Sequence, residues 1–389
     1  MQRRKQVFLK TGCFDQDFFI IQTSDYINDI RSFQRFFACY YNSFLNIWKL
    51  SNNAFEQVAI IDYATSVIWV EPFQDIGKFE LYVRATPELV SIFKDNEIFI
   101  TRNDRQRGMY VEMVQLNTDA EGGDYLTISG RSAEVMMLWR VVEHKNFSGA
   151  NQTAEKIIRW CVEYTLVQID PVLENEDYIP FLTIEDSHGW TDSAERQFTG
   201  KSLFQIVQEV CKTFDYGFRF AWTGAGFEFQ LYKGTDRSFA QSVNDYVVFS
   251  PDFNNLTSSE YVKDSSNYYN SAIIGGQGEG ADRVLAYSYA EGKTGFERRT
   301  IWVDARQTSS NTSEGELTPT EYSKLLIGQG NDKIAECLKT ESFTGEIFTD
   351  ISYEYGKDYF IGDKVAVKNA YGMSASATVT EITEVEDPE

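Results

Sequence analysis

Acid–base or nucleophilic catalysis requires histidine, cysteine or paired carboxylates at workable spacings, and this sequence offers few of them. It holds two histidines, His144 and His188. Neither belongs to a His-Glu-x-x-His run or sits beside cysteine, so no zinc site is legible. No Gly-x-Ser-x-Gly elbow supplies a nucleophile to partner them. The five cysteines (Cys13, Cys39, Cys161, Cys211 and Cys337) are odd in number and form no Cys-x-x-Cys pair, which argues against a disulfide framework. Cys161, Cys211 and Cys337 fall on apolar faces of helical patterns, where a thiol acts as a small hydrophobe and is expected to be buried. The Glu185-Asp186 pair has the residue types of a glycosidase, whose acid and base stand about 5 to 9.5 Å apart. Among 58 acidic residues such a pair arises by chance. The reading is of no catalytic residue, no metal and no cofactor.

One glycine-rich run, Gly275-Gly276-Gln277-Gly278-Glu279-Gly280, follows the apolar strand Ser271-Ala272-Ile273-Ile274, as a dinucleotide-binding turn does. What comes next is the strand-like run Arg283-Val284-Leu285-Ala286-Tyr287-Ser288-Tyr289, without an apolar helix to hold a pyrophosphate. The run therefore reads as a turn or bulge between two strands. A Gly-x-x-x-x-Gly-Lys-Ser/Thr loop is missing from the sequence.

The elements around these residues are mostly strands. Alternation of apolar and polar residues, as at Leu81 and Val83 or Leu126 and Ile128, predicts half-buried strands. Further strands read at 58–61, 66–70, 97–101 and 110–115, with turns at Asp75-Ile76-Gly77 and Glu121-Gly122-Gly123-Asp124. A short helix at 132–139 closes this unit. Residues 151–166 and 200–216 turn helical, the second with Leu203, Ile206, Val207, Val210, Cys211 and Phe214 on one face. Gly217 is expected to end it, before a hairpin at 218–222 and 227–231. A last helix starts at Thr318-Pro319-Thr320-Glu321, with Leu325, Leu326, Ile334, Cys337 and Leu338 as its core and Gly328 and Gly330 as a break. A hairpin at 364–368 and 375–383 closes the sequence.

At 389 residues the chain is long enough for two to three domains. Residues 1–44 stand apart as an atypical N-terminal segment. They carry 11 aromatics and a net charge of +2, with apolar residues that keep neither helical nor strand period. We expect the native chain to start at Leu45, the alternative being an N-terminal arm that folds against a partner. The remaining divisions are a first β-barrel at 45–145, an α+β lobe at 146–243 and a second β-barrel at 244–389, with a helix inserted near 318–340. The fold class is α+β, mainly β.

Charge narrows the function. Lys and Arg number 36 against 58 Asp and Glu, a net −22, so phosphate and anionic lipid are repelled. No stretch has the roughly 18 uninterrupted apolar residues of a spanning helix, so membrane insertion is not expected. Arg3, Arg4 and Lys5 imitate the start of a signal peptide, but Lys10, Asp15 and Asp17 interrupt its apolar part.

From Trp48 to Val385 the sequence resembles the ReqiPepy-type siphovirus tail-protein family, the tail-hub proteins of long-tailed bacteriophages. The resemblance rests first on Ser66-Val67-Ile68-Trp69, then on Gly77-Lys78-Phe79-Glu80-Leu81-Tyr82-Val83 and Leu126-Thr127-Ile128-Ser129-Gly130-Arg131-Ser132. It continues through Leu231-Tyr232-Lys233-Gly234-Thr235-Asp236-Arg237-Ser238 and Val247-Val248-Phe249-Ser250-Pro251-Asp252-Phe253-Asn254-Asn255-Leu256. The glycine run with Gly276, Gly278 and Gly280 follows, then Arg298-Arg299-Thr300-Ile301-Trp302-Val303-Asp304-Ala305-Arg306 and Tyr355-Gly356-Lys357-Asp358-Tyr359-Phe360-Ile361-Gly362-Asp363-Lys364-Val365.

The resemblance implies a baseplate hub, a homotrimer in which each subunit supplies two β-barrels. Six similar barrels would then face the tail tube or distal tail ring, with tail fibre, spike or lysin proteins below. It also implies a place at the virion tail tip, assembly in the host cytoplasm, and DNA that passes without specific binding. Gly362 and Asp363 are read as a structural turn. The rival functions are a tail-associated carbohydrate-binding module and a cell-wall hydrolase.

Overall fold

The computed structural model describes residues 2–11, 44–94, 97–119, 123–149, 151–167, 178–312, 315–347, 352–372 and 374–387. Cys13, Cys39, Asp15, Asp17, Glu121 and Gly122, named above, lie outside them.

The first unit is β2 (Leu45–Ser51), β3 (Ala54–Ile61), β4 (Ser66–Pro72), β5 (Lys78–Arg84), the helix α1 (Pro87–Lys94), β6 (Glu97–Arg102), β7 (Gly108–Asn117) and β8 (Tyr125–Ser132). The strand β1 (Gln2–Thr11) precedes it. Alternation works as expected here, because Phe79, Leu81 and Val83 are buried while Lys78, Glu80 and Arg84 are exposed. Residues 133–139 form a tight 3-10 turn, Ala133–Trp139, that seats Val135, Met136 and Met137 in the core.

The middle lobe contains β9 (Val141–Phe147), α2 (Ala154–Val162), β10 (Leu182–Ile184), β11 (Arg196–Ser202), α3 (Leu203–Phe214), β12 (Gly217–Trp222) and β13 (Phe227–Tyr232). The helix α3 opens with a capping box between Ser202 and Gln205 and buries Leu203, Ile206, Val207, Val210 and Cys211. It ends on Asp215 in the left-handed conformation, φ 57°. This corrects the expectation at Gly217. A β-carbon on Gly217 would stand 2.4 Å from the Phe73 ring, so close packing rather than a helix stop explains that glycine.

Beyond the lobe come β14 (Asp236–Arg237), β15 (Val248–Phe249), β16 (Leu256–Asp264), β17 (Ser271–Gly275), β18 (Leu285–Tyr289), β19 (Thr300–Asp304), the two-residue strands β20 (Asn311–Thr312) and β21 (Gly315–Glu316), and α4 (Pro319–Glu336). The chain finishes with β22 (Thr340–Ile347), β23 (Lys364–Lys368) and β24 (Ser374–Asp387). The predicted break in α4 does not occur. Gly328 and Gly330 lie within one continuous helix because there is no room for side chains there: a β-carbon on Gly330 would meet Ile274 at 2.6 Å and one on Gly328 the Glu195 carbonyl at 2.9 Å. Leu325 and Leu326 are buried, whereas Ile334, Cys337 and Leu338 are only half-buried toward the helix end.

One large sheet runs β16-β22-β1-β24-β4-β5-β8-β7-β6-β2-β3, with β23 on β24 and both β14 and β15 on β23. The C-terminal strand β24 therefore joins the last unit to the first by pairing with β4, Glu384 opposite Trp69. Among the described residues this path is open, ending on β16 and β3. The pairing of β1 between β22 and β24 had no counterpart in the periodicity of residues 1–44. A separate sheet, β18-β17-β19, carries α4 on one face.

Candidate functional site

The residues of the histidine and carboxylate readings are engaged in holding the fold. His188 stacks on Trp190 at 4.5 Å, and its Nε2 lies 3.0 Å from Glu185 Oε1 and 2.9 Å from the Leu231 carbonyl. Glu185 Oε1 also accepts the Leu231 N–H at 2.5 Å, so that carboxylate ties the 185–192 loop to β13. His144 contacts Thr199 on the neighbouring strand at 2.9 Å. Burial pushes the Cys161 thiol up to about 12, away from the thiolate a nucleophile requires. Among the described residues no three His, Cys, Asp or Glu side chains converge to hold a metal.

Residues of the runs that carry the family resemblance gather into three structural knots. In the first, β5 and β8 place Phe79 opposite Gly130 and Glu80 opposite Ser129. A β-carbon on Gly130 would stand 1.9 Å from the Tyr110 carbonyl, at the point where β7 bulges. Arg131 grips Glu112 through two bonds of 2.6 Å, and the Gly77 N–H donates to Ser132 Oγ at 2.7 Å.

The second knot joins the lobe's exit to the last β-rich unit. A β-carbon on Gly234 would overlap the Gly362 carbonyl at 1.7 Å. Buried Asp363 accepts the Thr235 N–H at 2.7 Å, the Arg237 Nε–H at 2.8 Å and the Phe360 N–H at 3.0 Å, satisfying its lone pairs without solvent. Asp236 holds the Ser238 N–H and hydroxyl. Pro251 opens a 3-10 turn capped by the Ser250 hydroxyl.

The third knot is the glycine run. Gly278 (φ 97°) and Gly280 (φ 54°) take left-handed conformations in the connection from β17 to β18, the strand-to-strand turn expected of them. A β-carbon on Gly276 would meet Tyr322 Oη at 2.6 Å. Arg283 donates to the Gly275 carbonyl at 2.8 Å, to the Gly276 carbonyl at 3.0 Å and to Asp304. Arg306 binds the same carboxylate at 2.5 Å and, with Arg283, holds it well below the usual carboxylate range.

This third knot supports an exposed aromatic surface. Register sets Tyr287, Ile273 and Trp302 in one row across β18, β17 and β19, with Leu285 and Tyr289 flanking Tyr287 on the same face of β18. The opposite face, with Ala272, Ile274 and Ala286, is buried with Tyr322 and Leu326 of α4. On the outer face Leu285 is 43% exposed, Tyr287 48%, Tyr289 46% and Trp302 51%. The Trp302 ring lies over Gly275, whose missing β-carbon would otherwise sit 2.6 Å from it. Arg283 stacks over Trp302 at 5.1 Å and Arg298 over Tyr289 at 4.4 Å.

Sequence reasoning missed a buried charge network at the junction of all three units. Arg102 reaches Glu384 at 3.0 Å and Asp104 at 2.9 Å, and Arg105 pairs with Glu384 and stacks over Tyr355 at 5.0 Å. Arg107 lies 3.5 Å from Glu134 and donates to the Phe218 carbonyl at 2.9 Å. Burial pulls on the Arg107 charge, but Glu134 and neighbouring groups outweigh it and the guanidinium pKa is raised. The sequence signal was no more than three arginines, at 102, 105 and 107, where β6 ends. Their partners lie up to 284 positions away, at Glu386.

The fold is that of phage tail proteins. It is similar to the 43 kDa tail protein of prophage MuSo2 from Shewanella oneidensis, with a TM-score of 0.51 at 12% identity over 88% of this chain and 95% of that one. It is also similar to the prophage tail protein gp18 of Listeria monocytogenes, with a TM-score of 0.50 at 11% identity over 89% and 94% of the two chains. A tail protein from Neisseria meningitidis aligns over 88% and 95%, with a TM-score of 0.49 at 11% identity. The sequence matches the siphovirus ReqiPepy6 Gp37-like protein family over residues 44–389, and the chain belongs to that family. No curated protein matches it.

Proposed function

We propose that this chain is the subunit of a homotrimeric baseplate hub at the tip of a phage or prophage tail. It joins the tail tube or distal tail ring to receptor-binding or lytic parts and lets DNA through. The observation that carries this reading is family membership across residues 44–389, which takes in all three units of the fold. The architecture supports it: two β-rich units flank a helical lobe. A closed three-fold ring of doubled β units presents six similar contacts to a six-fold tube, which resolves a symmetry mismatch. In this reading each β-rich unit completes its barrel in the ring.

The charge fits conduction. Residues 45–389 carry −24, and a channel lined with carboxylates lets phosphates pass where each Lys or Arg would hold them. The hub acts in the virion tail tip after assembly in the host cytoplasm, and its role is structural. Electron microscopy of the purified full chain tests this. The expected particle is a three-fold ring around an open acidic channel; compact particles without an axial channel, or a ring with a basic lumen, would contradict it.

A further inference from the structure

We propose that the slot between β22 and β24 is a strand-binding site selective for a basic extended segment, and that this chain's own N-terminal strand β1 is its occupant. The inference does not depend on the ring. Both walls of the slot lie within residues 44–389, the span matched by the family, and β1 lies outside it. Among the described residues β16 pairs only with β22, and β22 joins the large sheet only through β1. Without β1 the walls would present two rows of unpaired N–H and C=O groups, and the β16-β22 ribbon would stand alone, a marginal structure in water. When an extended segment adds to such edges, backbone bonds hold it and the residues at alternate positions decide which segment is accepted.

Register shows what this slot accepts. Residues directly opposite in an antiparallel pair share a face. One face of β24 reads Glu386, Glu384, Ile382 and Val379, all buried. Opposite them stand Arg3, Lys5, Val7 and Leu9, with a bulge after Phe8 that keeps the last pair in step. A base thus faces an acid twice, and an apolar residue faces an apolar residue twice. Over its full length β1 holds Arg3, Arg4, Lys5 and Lys10 and no acid. Its walls hold Glu341 and Glu346 on β22, and Glu381, Glu384, Glu386 and Asp387 on β24, and no base.

The two opposed acids belong to the charge network at the junction of the units. There Glu71, Asp104, Glu384 and Glu386 meet Arg102 and Arg105, four carboxylates against two guanidinium groups. The neighbouring Arg107–Glu134 pair is balanced in itself. Buried charge without a counter-charge is costly. The register positions of Arg3 and Lys5 supply the two positive charges that even the count, which an acidic or neutral strand would not. The basic composition that sets residues 1–44 apart from the rest of the sequence is therefore what the slot requires.

The test is hydrogen exchange on the full chain, read at residues 2–11, 340–347 and 374–387 with α3 as the control for folding. It compares the wild type with Arg3→Glu/Lys5→Glu and with Arg3→Lys/Lys5→Arg, and a labelled peptide of the sequence Gln2–Thr11 is then added to each. The wild type should protect all three segments. Charge reversal should speed their exchange by about tenfold or more while α3 stays protected. The reversed chain should also bind the peptide, and the wild type, its slot filled, should bind it about tenfold more weakly or worse. The base-for-base variant should behave as the wild type does. If reversal opens α3 as well, Arg3→Gln/Lys5→Gln takes its place with the same readings. Free exchange of residues 2–11 in the wild type, reversal without effect, or a reversed chain that takes up no peptide would each overturn the inference. So would a base-for-base variant that opens as the reversed one does, because charge would then not select the strand.

Discussion

The backbone of Gly362 lies against the ring of Phe73: a β-carbon there would stand 2.5 Å from Cε2, in a residue whose φ is +94°. Gly217 of the lobe meets the same ring at 2.4 Å. The Phe73 N–H donates to the Thr380 carbonyl at 2.7 Å, and its own carbonyl accepts the Phe218 N–H at 3.4 Å. One residue at the end of β4 thus fastens the first unit to both others. Gly362→Val combines left-handed strain with overpacking, so it is expected to cost about 2 to 4 kcal/mol. Urea unfolding reads this as a lower midpoint, and an unchanged midpoint would contradict the geometry.

Gly130→Ala should be poorly tolerated for a different reason. The Tyr110 carbonyl occupies the place of the missing β-carbon, 1.9 Å away, and the β7 bulge exists to fit that approach. The variant must push β7 from β8, which hydrogen exchange would register as faster exchange of both strands.

The Arg107–Glu134 pair is buried at both ends. Removing one partner strands the other's charge, so Arg107→Met and Glu134→Gln are each expected to cost about 3 to 5 kcal/mol. The double variant should lose less than their sum, with a coupling of about 1 to 3 kcal/mol in a double-mutant cycle. Strict additivity would show that the two charges do not sense each other.

Acid should loosen the 187–190 loop. Burial pulls the Glu155 pKa up, but hydrogen bonds from the Ser187 hydroxyl and the Trp190 and His188 N–H groups outweigh it and hold the carboxyl below its ordinary value of 4.5. A depressed folded-state pKa stabilises the loop above the unfolded value, and that stability is lost as pH falls through the folded one. Limited proteolysis is expected to find the loop protected at pH 6 and increasingly cut below about pH 4. In Glu155→Gln cleavage should no longer depend on that titration.

What the sequence made legible was local. The apolar stripe of α3 and the capping residues Thr318 and Glu321 of α4 follow from short-range rules that a periodic reading captures. The end of α3 was misplaced because Asp215 accepts the left-handed conformation usually given to glycine, while Gly217 answers to Phe73, 144 positions earlier. Long-range partners have no period. Nothing near Arg102 or Arg105 announces Glu384, and only pairing of β24 with β4 brings them together. The aromatic face was readable as alternation in β18 and β19, but which side α4 would cover depended on Gly330 of the helix meeting Ala272 and Ile274 of the sheet.

The measurement that tests the central claim most directly is the solution mass of the full chain by sedimentation equilibrium. Three copies of 44.7 kDa make a ring of about 134 kDa, and that mass, persisting on dilution, is the result a trimeric hub predicts. A mass of 44.7 kDa at every concentration, or a stable dimer, would contradict it.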